Sequence, residues 1–132
     1  MPINAQNLLT ISKKLLGVTS QAEEYFRVSS NRAYYCAFHS CSQVARSEFN
    51  AIPNNGHQSF GHEELYDLFL NHQPPLKVPN KRDKDIYQIG YLLKQARDLR
   101  VHADYKNQTF SINDAQDTIN STEEILRLIK LL

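Results

Sequence analysis

Residues 20–49 read SQAEEYFRVSSNRAYYCAFHSCSQVARSEF. Phe26, Ser30, Ala33, Ala37, Cys41 and Val44 return every three or four positions, which is the spacing of one stripe on an α-helix. The small side chains in that stripe predict close approach by neighbouring helices. Ser20 and Glu23 stand at capping-box spacing, and the pattern runs to Phe49. A helix with a single apolar stripe gains most of its stability from partners that cover it, so the rest of the chain must supply them.

The flanking segments do so. Residues 4–16, NAQNLLTISKKLL, place Leu8, Ile11, Leu15 and Leu16 on one side and stop at Gly17. After residue 49, Pro53 and the Asn54-Asn55-Gly56 turn signal mark a loop. A short helix, HEELYDLFLNH, follows with Leu65, Leu68 and Phe69 apolar. Pro74, Pro75 and Pro79 exclude helix from the next linker. A further helix is expected from about Asp83, with Ile86, Ile89, Leu93, Ala96 and Arg100 along one face. Ser111 and Asp114 form a second capping box, with Phe110 placed to staple onto Ala115. Ile112, Ala115, Ile119, Leu126 and Ile129 define the last helix. No segment has strand periodicity. The fold class is all-α, an antiparallel bundle of four to five helices.

At 132 residues the chain forms one domain, residues 1–132. Lysine and arginine number 15 against 14 acids, for a net charge of +1, so bulk charge selects no partner. Any nucleic-acid surface must come from local clustering or from assembly. Cys36 and Cys41 would point about 140° apart on one helix, which argues against a disulfide. Reduced, buried thiols suggest a cytoplasmic protein. No stretch approaches the roughly 20 apolar residues of a membrane span, and no signal-peptide hydrophobic run is present.

Much chemistry is excluded. Glycine occurs at 17, 56, 61 and 90 alone, which builds no phosphate-cradling glycine loop. HEELY opens like a zinc-binding H-E-x-x-H, but Tyr66 stands where the second histidine belongs. No Glu-x-x-His pair is present for a di-iron bundle. His57 and His62 flank a loop and read as surface histidines. No metal and no cofactor is expected.

Residues 97–105, RDLRVHADY, remain. Metal-free RNA cleavage needs a proton carrier near neutral pH and a fixed cation for the phosphoryl oxygens. His102 and Arg97 supply these types. Asp98 lies four residues before His102, on the same helix face, where it can orient the imidazole. Arg97 and His102 are about 140° apart, so they converge only if the helix ends or bends or the arginine wraps round. Arg100 and Tyr105 are candidate substrate contacts, Tyr105 by stacking or by hydrogen bonding a phosphate. The competing reading is a solvated helix C-terminus, where cations suit the dipole.

Residues 31–46, NRAYYCAFHSCSQVAR, resemble the second helix of the HEPN superfamily of small helical bundles. Arg32, Ala33, Tyr34, Tyr35, Ala37, Phe38 and His39 match, and Cys36 stands where alanine is usual. The stretches FGHEELYDLF, RDLRVHADY and INDAQDTINSTEEILRLI continue the likeness over residues 4–130. The resemblance implies a homodimer whose two motifs share one cleft. It also implies metal-independent endoribonuclease activity on RNA, and a toxin in a bacterial toxin–antitoxin or phage-defence module. Arg97, Asp98 and His102 fit that family's arginine, four to six residues, then histidine. Tyr105 falls three after His102, whereas toxins paired with a minimal nucleotidyltransferase have their tyrosine two after. The alternative within the same resemblance is a non-catalytic module that binds a nucleotide, an RNA or a nucleotidyltransferase partner. Tyr34, Tyr35 and Phe38 are expected in core and interface packing, His39 as a hydrogen-bonded core histidine, and Arg32 as a brace for Asp98 or Asp104.

Overall fold

The computed structural model describes residues 4–18, 23–104 and 109–132. Five α-helices make up the described chain: α1 (Ala5–Val18), α2 (Glu23–Glu48), α3 (His62–Leu70), α4 (Lys81–Asp104) and α5 (Ile112–Leu131). There is no strand among the described residues, so the all-α bundle stands. α2 is the centre and packs against each of the other four helices. No helix among the described residues is long and apolar enough to cross a membrane. The Ser20–Glu23 box lies outside the described residues, since Ser20 is not among them.

The expected α2 stripe is the buried one. Phe26, Ser30, Ala33, Ala37, Cys41 and Val44 are all inside. Cys36 and Cys41 are both free thiols and fully buried. Hydroxyls line the seams where α2 meets α1 and α5. The Ser12 hydroxyl donates to the Ser29 carbonyl at 2.7 Å, and the Ser29 hydroxyl donates to the Ser12 carbonyl at 2.9 Å. Ser30 and Thr118 pair at 2.7 Å, and Thr122 donates to the Ala33 carbonyl at 3.0 Å. Each buried hydroxyl is satisfied, so small polar side chains serve as core here.

This seam shifts two expected faces. In α1, Leu9 is buried and Ile11 is 42% exposed. In α5 the inner face is Ala115, Thr118, Ile119, Thr122, Ile125 and Leu128, and Ile112 turns outward. The start of α5 is as expected: Asp114 N–H donates to the Ser111 hydroxyl, and Ser111 N–H donates to the Asp114 carboxylate. Phe110 packs with Ala115, Phe26 and Ala103.

Two local devices fix α4. Asn80 caps it: Asp83 N–H donates to Asn80 Oδ1, and Asn80 N–H donates to Asp83 Oδ2, each at 2.9 Å. The helix therefore begins at Lys81, two residues before its expected start. Gly90 lets α3 lie against it. A Cβ at that position would stand 2.8 Å from the Phe69 Cβ and 3.0 Å from the Leu70 backbone nitrogen.

Candidate functional site

α4 is unbroken α-helix from Lys81 to Asp104. It therefore neither ends nor bends between Arg97 and His102, and about 140° of helix surface separates them. Their side chains meet different parts of the molecule. The convergence of Arg97 and His102 through a helix end or bend does not occur within one chain.

Arg97 and Arg100 face α2 and α3. Arg97 Nη1 is 3.8 Å from Glu63 Oε1, while its Nε is buried with no hydrogen-bond partner. Arg100 donates from Nη2 to the Tyr35 hydroxyl at 3.3 Å, and its guanidinium lies 5.5 Å from the Tyr35 ring centre. Beside them is His62, the first residue of α3. Its Nδ1 is 2.5 Å from the hydroxyl of the fully buried Tyr34, and its ring is 5.0 Å from that of Phe38. The Glu64 carboxylate fixes this turn by accepting from the N–H of Gly61 at 3.0 Å and of Asn54 at 2.8 Å. Burial, then the charges of Arg100 and Arg97, hold the His62 imidazole below its ordinary pKa. Burial pushes the Tyr34 phenol upward, with both guanidinia opposing. Near neutral pH both groups are uncharged.

The Tyr34 hydroxyl and His62 Nδ1 share one hydrogen bond, in which either partner can donate. Two guanidinia and an imidazole gather at one place on the protein.

His102 belongs to another neighbourhood. Its Nε2 lies 3.0 Å from the Thr109 carbonyl, and its ring is 5.5 Å from that of Phe110. These contacts orient the imidazole. Asp98, expected in that role, is exposed and borders a hollow shared with Gln95, Leu99, Asp117, Asn120 and Ser121. Tyr105 lies outside the described residues. Arg32 is exposed. The arginine that reaches the end of α4 is Arg27, which donates to the carbonyls of His102 and Ala103 and to Glu23 at 3.0 Å. Glu23 in turn accepts from Phe110 N–H at 2.5 Å, and that bond, then Arg27, lowers its pKa. The end of α4 is thus tied to the starts of α2 and α5.

Sequence reasoning found Arg97 and Arg100 but not His62, which it grouped with His57 as a surface residue. His57 is exposed; His62 is half-buried. The available signal was Gly61 followed by Glu64, which sets His62 on a first helical turn. That turn's direction depends on the packing of α3 across α4, which no local pattern encodes. Tyr34 and Phe38 are core residues as expected, and His39 is half-buried with its pKa lowered by burial. Among the described residues no three histidine, cysteine or acidic side chains group to hold a metal. Comparisons with models of known families, with curated proteins and with solved structures found no match.

Proposed function

We propose that the chain is a metal-independent endoribonuclease of the HEPN kind, completed by a second copy of itself and serving as a toxin in a bacterial toxin–antitoxin or phage-defence module. The observation that carries this reading is the pair of arginines near the end of α4. Arg97 and Arg100 lie beside His62 on one flank, and His102 lies on another within the same two turns. In the reaction the ribose 2′-oxygen bonds to phosphorus as its proton passes to an imidazole. The P–O5′ bond breaks, and the 5′-oxygen takes up a proton. The products are a 2′,3′-cyclic phosphate and a 5′-hydroxyl. Guanidinium charge stabilises the intervening phosphorane. Because one continuous helix holds Arg97 and His102 apart, a productive groove needs Arg97 of one copy facing His102 of its mate. Two such ends also concentrate cations that a nearly neutral chain lacks in bulk.

The test is RNA cleavage in EDTA. His102→Ala should lose about 10²- to 10⁴-fold in rate, the usual worth of a proton carrier, and Arg97→Ala should be similarly impaired. Mixing the two inactive variants should restore cutting, because one groove of the mixed dimer keeps both residues. If His102→Ala cuts as fast as the wild type, the reading is wrong.

One contact favours a second reading. A His102 Nε2–H committed to the Thr109 carbonyl is not offered to substrate. On that basis the chain is a non-catalytic HEPN module that binds a nucleotide, an RNA or a nucleotidyltransferase partner. Growth on expression separates the two: the nuclease arrests it and Arg97→Ala relieves the arrest, whereas the binding module leaves growth unaffected.

A further inference from the structure

The geometry points to a phosphate seat complete within one protomer, formed by the guanidinia of Arg97 and Arg100 and the imidazole of His62, that receives the backbone of a single-stranded nucleic acid. It rests on reading this end of α4 as a phosphate-handling surface, and not on cleavage.

Four features carry it. Two guanidiniums from α4 gather with an imidazole from α3 that is hydrogen-bonded through Nδ1 to Tyr34. The Arg97 Nε is buried without a hydrogen-bond partner. The Glu63 carboxylate stands 3.8 Å from Arg97 Nη1, on a side chain 69% exposed. Such a long, solvated ion pair is weak and readily exchanged for a better anion. Lys94, one turn before Arg97, adds a third cation, its ammonium 6.0 Å from the Tyr66 ring centre. Fork-shaped guanidinium groups are the side chains best matched to phosphate oxygens.

Burial and then Arg100 and Arg97 on α4 set the charge of His62, which also meets Tyr34 and Tyr35 on α2 and has Glu63 next to it in its own helix. The two guanidinia oppose its protonation. A bound phosphate reverses that field, so binding must raise the His62 pKa. The same linkage says that protonating His62 tightens the seat.

The imidazole resonances of the protein, titrated with the 2′-deoxy oligomer hexathymidylate, test the seat. That oligomer has no 2′-hydroxyl to attack its own phosphates. The His62 ring signals should move saturably and its pKa should rise, while those of exposed His57 stay in place. Arg97→Ala should weaken binding about tenfold or more, as loss of a charge-assisted contact does. Glu63→Gln should tighten it about threefold by removing the competing carboxylate. Lys13→Ala, on α1 and away from α4, should change nothing. A silent His62, or equal weakening by Lys13→Ala and Arg97→Ala, overturns the seat. If Arg97→Ala does not fold, Glu63→Gln decides, and unchanged or weaker binding there also overturns it. A wild type that binds the oligomer but cuts no RNA loses the nuclease reading alone. One that cuts RNA with His62 silent loses the seat alone.

Discussion

Asp83 is a carboxylate with 2% of its surface exposed, and it keeps its charge through the donors around it. Asn80 N–H reaches Oδ2 at 2.9 Å and His72 Nε2 lies 2.7 Å from Oδ1. The Asn80 bond is the larger cause of its lowered pKa, and His72 the next. A carboxyl group whose folded pKa is depressed stabilises the protein fully above its unfolded value, near pH 4, and loses that contribution as pH falls through the folded value. Asp83→Asn should therefore be less stable than the wild type at neutral pH, and the gap should close on acidification. Urea midpoints measured from about pH 6 down to about pH 2 check this; a constant gap across that range contradicts it. The same residue shows where sequence reading stopped short. The three prolines before it marked the linker as irregular, but the reciprocal bonds of Asn80 and Asp83, which set the first turn, join side chain to main chain and carry no hydrophobic periodicity.

At the level of helices, the apolar stripe of α2 and the capping box of α5 were legible because each is a repeat or pairing within four residues. The inner face of α5 was less so. Thr118 and Thr122 are buried there, and a threonine reads as polar until its hydroxyl is seen bonded to Ser30 or to the Ala33 carbonyl. Isoleucine and leucine alone then point to a face turned by about one position. Gly90 is similar: a glycine inside a helix costs about 1 kcal/mol relative to alanine, and only the crossing with α3 explains it. Gly90→Ala gains helix propensity but drives a methyl group to 2.8 Å from the Phe69 Cβ. Overpacking of this kind costs about 1–3 kcal/mol, so a net loss of stability is expected in urea denaturation, and a variant more stable than the wild type would contradict the crossing.

For the molecule as a whole, α2 holds the other helices around a core that includes both thiols. Burial pushes the Cys36 pKa up to about 11 and raises that of Cys41 as well. Neither thiol should react with iodoacetamide near neutral pH while the bundle is folded, and both should react in step with loss of the helical circular dichroism signal in urea. Labelling of either thiol with the signal intact would show that the helix over it lifts on its own. The bundle was legible in the sequence because each helix announces itself. The gathering of α2, α3 and α4 around His62 was not, because its members lie far apart along the chain and meet only once the helices have packed. Gly90 and Arg97 are seven residues apart, two turns along nearly the same line of α4. The gap left by a hydrogen in place of a methyl group thus sets how near α3 can bring its leading imidazole to the guanidinium. Enlarging that one atom would retune the span of an anion's grip from a position no anion touches.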